Sequence, residues 1–152
     1  MRILKTLAEI VKLGQERALY IRWSRGPTLD REWAHSVDQV SGRVHNGLSV
    51  QRVRADDPWL LAKMLQEYQF LRRKDAKIYC WILAGSENGT DSDGAPTIDA
   101  DTIKPIGRIS DELIQLCSAY NNACWQWARV GYRSNHPSGI GAEVERLWQQ
   151  II

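Results

Sequence analysis

The sequence predicts a single α+β domain, in which a mixed β-sheet of about four or more strands carries helices packed on it. Its 152 residues suit one domain with a sizeable core. Segments with the period of a strand and segments with the period of a helix both occur, and their order is α, β, β, α, β, β, α, α. Because this order lacks the regular alternation of a parallel α/β fold, the α+β class is favoured.

The first elements follow from apolar spacing. Residues 3–14 place apolar side chains three and four positions apart, which predicts an amphipathic helix. Residues 18–24 alternate apolar and polar side chains, which predicts a half-buried strand that ends before Gly26-Pro27. A weaker, mixed alternation over residues 48–53 predicts a second strand.

The middle of the chain holds the two clearest patterns. Residues 58–73 carry a broad apolar stripe behind Asp57, a helix-capping residue type, so they predict a helix. Residues 78–84 are almost continuously apolar, aromatic or β-branched, so they predict a central strand buried on both faces.

The last third predicts a polar connection, a strand and two helices. Residues 86–94 are rich in turn-forming types and predict a connection without regular structure. Residues 103–109 predict a strand, and Pro105 within it indicates an edge position. Helices are predicted from Ser110 through Trp127 and over residues 143–151.

Composition narrows the class of protein. The first 76 residues carry 14 Lys and Arg against 9 Asp and Glu, an excess too scattered to favour nucleic-acid binding. No apolar segment approaches the roughly 18 residues that span a bilayer, so no membrane association is expected. Three cysteines without a CxxC pair, Cys80, Cys117 and Cys124, suggest reduced thiols in a cytoplasmic protein and no metal site.

The candidate site lies in the first third of the chain. Between Pro27 and Gly47 the sequence is polar and irregular, and connections of that length are often functional. If the first two strands are neighbours, polar side chains at their ends converge on one ligand-binding pocket, namely Arg22, Ser24, Asp38, His45 and Ser49. The guanidinium would bind a phosphate or carboxylate of an anionic ligand. The alternative is an ion pair of Arg22 with Asp38 or Asp30 that holds the long loop.

Two further patterns in the sequence bear on function. Asp91-Ser92-Asp93-Gly94 resembles the centre of a calcium loop, but Ala100 occupies the position of the bidentate ligand, so an ordinary acidic turn is favoured. Seven tryptophans are many for this length. Trp125 and Trp127 cannot face the same side of one helix, so at least one of them is a candidate contact for a protein partner.

The motifs of the chain resemble those of an uncharacterised bacterial family of small proteins. The shared patterns are LYxRWSxGPxxD, SxD, SGxxHxGLS, EYxFLR and GxDSDG, found here at residues 19–30, 36–38, 41–49, 67–72 and 89–94. This resemblance covers about residues 18–110, which leaves residues 111–152 as a C-terminal helical extension of the same domain. It implies no function.

The order of some residues is also similar to that of ADP-ribosyltransferases and related NAD-consuming domains. That resemblance implies that Arg22 binds NAD phosphate, that Ser49 orders the first-strand residue, and that Glu87 stabilises an oxocarbenium-like transition state. The sequence departs from those enzymes at Gly85, where they carry an acidic residue or Gln two positions before the glutamate.

The favoured interpretation is a non-catalytic binding module without a cofactor, which recognises an anionic ligand or a protein partner through the Arg, Ser and His pocket. One alternative is an NAD-using transferase or glycohydrolase that employs Arg22, Ser49 and Glu87. The other is a subunit of a larger assembly, with exposed tryptophans at the interface.

Overall fold

The structure is a computed structural model that describes residues 2–67, 74–132 and 139–152. Its helices are α1 (Leu7–Glu16), α2 (Pro27–Trp33), α3 (Pro58–Glu67), α4 (Asp111–Arg129) and α5 (Ile140–Ile151). Its strands are β1 (Ile3–Leu4), β2 (Tyr20–Ser24), β3 (Leu48–Ser49), β4 (Gln51–Arg52), β5 (Tyr79–Ala84), β6 (Glu87–Thr90), β7 (Pro96–Ile98) and β8 (Lys104–Ile109). The predicted α+β class is confirmed.

A five-stranded mixed sheet forms the centre, in the order β1-β8-β5-β2-β4. β1 runs parallel to β8, and the other neighbours are antiparallel. Alternate side chains of the strands, such as Ile21 and Ile82, face α1, α3, α4 and α5 and form the larger hydrophobic core with them. No helix in the described part of the chain is long and apolar enough to span a bilayer.

The opposite face of the sheet carries a smaller core. Tyr20, Trp81 and Leu83 point to this side and pack against Leu48 and Ile98 of a second sheet, in the order β3-β7-β6. The domain therefore has three layers, with the helices on one side of the large sheet and the small sheet on the other.

One extended segment crosses between the two sheets. β3 pairs with β7 in the small sheet, whereas β4, two residues later, pairs with β2 in the large sheet. Val50 lies between them, and its N–H donates to the carbonyl of Pro96 at 3.0 Å. The sheets diverge at this residue and leave a wedge-shaped space beside β2.

Most of the longer predicted elements are confirmed. The strands over 18–24 and 78–84 correspond to β2 and to β5, which has a neighbour on each side. The Asp57 cap is present, since its Oδ1 accepts the Leu60 N–H at 3.0 Å. The helix predicted over 58–73 is seen as far as residue 67, and its last six residues lie outside the described part of the chain.

The helix predicted over residues 3–14 begins too early. Ile3 and Leu4 instead form β1, which pairs with Arg108 and Ile109 of β8. The helix starts at Leu7 behind Thr6, whose hydroxyl accepts the Glu9 N–H at 3.3 Å. The partner strand lies a hundred residues away, so local spacing could not reveal it.

Two polar segments that were predicted to be irregular contain regular structure. Residues 27–33 form α2, with Pro27 in its first turn, where a missing N–H costs nothing. Residues 87–98 form the β6–β7 hairpin, so Glu87 begins a strand rather than lying in a turn. The predicted strand over 48–53 is split at Val50 between the two sheets.

The edge position predicted for the 103–109 strand is wrong, because β8 lies between β1 and β5. Pro105 is tolerated for a local reason. β1 covers β8 only at Arg108 and Ile109, so the β1 side of β8 is open at Pro105, where no ladder N–H is required. The register with β5 also shifts at this level.

Gly47 fixes the distance between the loop and the small sheet. A Cβ at this position would lie 2.3 Å from the carbonyl oxygen of Ile98 and 2.8 Å from the Asn88 side chain. Gly47 therefore has a packing role, since the close contact leaves no space for a side chain.

We expect Gly47→Ala to lower the free energy of unfolding by about 2 kcal/mol or more, because the backbone of β7 would have to move. Urea denaturation checks this. The neighbouring Asn46→Ala is the matched control, since its backbone carbonyl still accepts from Asn88. Equal stability of the two variants would contradict the packing role.

Candidate functional site

The site is formed where the hydrogen-bond ladder between β2 and β4 stops. The ladder pairs Tyr20 with Arg52 and Ile21 with Gln51. The same register would place Ser49 opposite Trp23. The Ser49 N–H instead donates to Ser36 Oγ at 2.9 Å, and its carbonyl accepts from Arg22 Nη1 at 2.7 Å. Two side chains thus end the ladder and hold the two strands apart.

The space beside β2 is a cleft of about 420 Å³, which we call the wedge cleft. β2, the 36–40 segment, the crossing segment at 49–51 and the turn between β6 and β7 form its walls. The polar residues that line it are Arg22, Ser36, Asp38, Gln39, His45, Ser49, Gln51, Asp91 and Asp93. Four of the five predicted ligand-binding residues, Arg22, Asp38, His45 and Ser49, therefore meet in one cleft.

Arg22 is held in place by a buried carboxylate. Its Nε lies 3.1 Å from Asp30 Oδ1, and the two side chains are 17 % and 7 % exposed. The second oxygen of Asp30 accepts from Ser24 Oγ at 2.7 Å. Of the two ion-pair partners considered from the sequence, Asp30 is the one observed. Ser24, the fifth predicted residue, lies behind this pair and positions Asp30.

His45 has free hydrogen-bonding capacity in the cleft. The residue is 8 % exposed and lines the cleft, yet neither imidazole nitrogen has a hydrogen-bond partner among the described residues. Its backbone is fixed, because its N–H donates to the Ser36 carbonyl at 2.9 Å and its own carbonyl accepts from His35 Nδ1 at 3.0 Å. The ring nitrogens themselves are not buried, so they reach the open cleft, where a ligand can form hydrogen bonds with them.

Carboxylates form the outer wall of the wedge cleft. Asp38 Oδ1 accepts the N–H groups of Val40 and Ser41, both at 2.8 Å. The Ser41 N–H, the Ser92 hydroxyl and the Val40 N–H lower the pKa of Asp38 to about 2. Asp91 caps its own turn in the same way, and Asp93 lies beside it. This wall is therefore negatively charged at neutral pH.

A second cleft of about 540 Å³ lies on the other side of the 35–39 segment. Arg22 and Ser36 line both clefts, and apolar side chains of α2 form the far wall. Trp33 on this wall is 75 % exposed, and Val40 at the tip of the intervening loop is 99 % exposed. Apolar surface therefore flanks the polar cleft.

Glu87, the predicted catalytic carboxylate of the enzyme alternative, lies elsewhere. It accepts from Arg52 Nη2 at 2.5 Å and from the Tyr20 hydroxyl at 2.8 Å. Arg52 and then Tyr20 lower the pKa of Glu87, while burial and then Glu87 raise the pKa of Tyr20. Glu87 lines neither of the two clefts. The structure thus brings Arg22 and Ser49 together without Glu87.

Several residues of the wedge cleft were not predicted as site residues, among them Asp91, Asp93 and Trp23. Asp91 and Asp93 were interpreted as an ordinary acidic turn, and only the β6–β7 hairpin brings that turn to the cleft. Trp23 contributes its main chain, which forms the open edge of β2. Its side chain points away from the cleft and packs against the helical core. The acidic composition of the turn was visible in the sequence. An open main-chain edge cannot be seen there, because it does not depend on residue type.

The cysteines are the remaining candidates for chemistry. Cys80 and Cys117 are buried free thiols, and burial raises the pKa of both, that of Cys117 to about 12. Among the described residues, no group of three or more His, Cys, Asp and Glu side chains is arranged to bind a metal ion.

The fold and this cleft define a small α+β protein with a polar cleft beside its central sheet. The chain belongs to a family of unknown function, DUF6098, whose model matches residues 1–129 and so includes every residue of the wedge cleft. This confirms the resemblance to a family without an assigned function, over a longer range than the motifs covered. Comparisons with curated proteins and with solved structures find no match.

We expect Asp30→Asn to lower the free energy of unfolding by about 3 kcal/mol, because the mostly buried guanidinium of Arg22 loses its counter-charge. Chemical denaturation measures this. Arg25→Ala is the control, since it breaks the exposed Arg25–Asp75 pair, which is worth at most about 1 kcal/mol. A loss no larger than that of the control would show that the Arg22–Asp30 pair does not support the fold.

Asp38 should titrate with a midpoint near pH 2 in the folded protein. Because its folded pKa lies below its unfolded value, its stabilising effect is present above about pH 4 and is lost as the pH falls towards 2. Carbon-13 NMR of the side-chain carboxyl measures the midpoint. Ser92→Ala should move it upwards, and a midpoint near 3.8 in the unmodified protein would contradict the turn geometry.

Proposed function

We propose that this protein is a non-catalytic binding module whose wedge cleft receives a segment of a protein partner. The observation that carries the proposal is His45, a nearly buried imidazole that lines the cleft with both nitrogens unpartnered among the described residues. A partner that enters the cleft can form a hydrogen bond with either ring nitrogen, since no other described residue occupies them.

A protein partner fits the surroundings of the cleft better than a small anion does. Asp30 already neutralises the Arg22 guanidinium, and Asp38, Asp91 and Asp93 add negative charge to the lining. Exposed apolar side chains, Trp33 and Val40, lie beside the polar cleft. A polar centre with an apolar margin offers a peptide both orienting hydrogen bonds and buried area.

The NAD-using enzyme remains the alternative hypothesis. It requires Arg22, Ser49 and Glu87 around one substrate, and Glu87 is engaged by Arg52 and Tyr20 outside both clefts. Glu87→Gln therefore separates the two functions. Such an enzyme would lose turnover, whereas partner binding in the wedge cleft does not involve this carboxylate.

The assembly hypothesis concerns a different surface. Trp125 on α4 is 68 % exposed and Trp59 on α3 is 62 % exposed, although Trp59 stacks on Trp148 at 5.3 Å between ring centroids. Exposed tryptophans favour contact with another protein. This surface would be a second interface of the same module and does not compete with the cleft.

Peptides selected from a phage-displayed library of random heptapeptides should bind the wedge cleft. We expect His45→Ala to weaken the binding of the enriched synthetic peptides about tenfold, the effect of one lost buried hydrogen bond. Fluorescence anisotropy gives the dissociation constants. Glu87→Gln is the matched control and should leave them unchanged.

Circular dichroism of each variant excludes loss of folding as the cause. The proposal is overturned if no peptide is enriched, or if the enriched peptides bind His45→Ala as tightly as the unmodified protein.

A further inference from the structure

We propose that the partner enters the wedge cleft as an extended basic segment, whose backbone pairs with the main chain of Trp23. This inference rests on the proposed binding function and specifies how the partner is recognised. It joins two features of the cleft, an interrupted strand edge and a wall of carboxylates.

The open edge follows from the direction of the backbone groups of β2. The Val53 N–H donates to the Leu19 carbonyl at 2.9 Å, so the groups of Leu19 face β4. Alternation along the strand turns the groups of Ile21 and Trp23 to the same side. Ile21 pairs with Gln51, but the groups of Trp23 have no partner among the described residues.

The closing position is blocked from within the protein. Ser49, which the register would place opposite Trp23, gives its N–H to Ser36 and its carbonyl to Arg22. One N–H and one carbonyl of Trp23 therefore face the wedge cleft at the spacing of an antiparallel pair. A peptide can supply the matching carbonyl and N–H by strand addition.

The side chains of such a peptide would alternate between the two faces of the sheet. The peptide residue opposite Trp23 would point to the same face of the sheet as the Trp23 side chain. The peptide residues before and after it would point to the face of Arg22. On that face Asp38, Asp91 and Asp93 line the cleft. Since Arg22 is paired with Asp30, the charge that these neighbours meet is negative. Lys or Arg at positions two apart is the complementary sequence.

The probe is the tightest heptapeptide from the library selection, compared with copies N-methylated at one amide at a time. Lys or Arg should be enriched at positions two apart, and one N-methyl group should weaken binding at least about tenfold because it removes a main-chain donor. In the free protein the Trp23 amide should exchange with solvent faster than those of Arg22 and Ser24, which face β5. Saturating peptide should slow its exchange at least about tenfold.

Asp93→Asn tests the charge. It should weaken binding severalfold at low ionic strength and less at high salt, whereas Asp101→Asn, an exposed carboxylate outside the cleft, should not.

Three results would overturn the inference. If the peptides need His45 but tolerate methylation of every amide and leave Trp23 exchange unchanged, the binding module stands and the strand pairing is wrong. If the methylation pattern is found without a basic preference and Asp93→Asn has no effect, the basic partner is wrong. If no peptide is enriched, the proposed function itself fails.

Discussion

The arrangement of this domain depends on the interaction of Arg22 with Asp30 and with the carbonyl of Ser49. The guanidinium lies where the large and small sheets diverge, and it replaces a main-chain pairing that β2 would otherwise make. Its charge is mostly buried, so it requires a counter-charge, which α2 supplies through Asp30. A helix of about two turns, two strands and the wedge cleft are thus coupled through one side chain.

That coupling explains why the short α2 is ordered. A helix of seven residues has little stability of its own, since nucleation is costly. Pro27 pre-sets its first turn, and Gly26 adopts a φ of 133° that a side chain would strain. Arg31 Nη2 donates to the Ile103 carbonyl at 2.6 Å, and Asp30 is fixed by Arg22 and Ser24. These contacts join α2 to residues outside the helix. Tertiary packing between the layers therefore stabilises α2.

The predictable parts of the chain are those whose signal is local. The β5 segment is continuously apolar because both its faces are buried, and β2 alternates because its two faces meet different layers. β1 and β7 could not be found, because strands of two and three residues carry no period and are defined by distant partners. The convergence of Arg22, His45 and Ser49 was predictable from polar residues at strand ends, but the neutralisation of Arg22 and the open edge at Trp23 depend on register.

An unpaired strand edge is normally a liability, because it offers a template to any other chain. Here the unpaired edge is only one residue long. β4 covers the strand before it, and the chain turns away at Gly26 after it. The 36–40 segment and the carboxylates of Asp38 and Asp91 further limit what can approach it. A flat apolar edge would favour self-association. The N–H and carbonyl of Trp23 instead lie beside negative charge, which repels the acidic turn of a second copy. In the proposed binding mode, this geometry would select one kind of partner over indiscriminate strand pairing, which is the distinction that a recognition module requires.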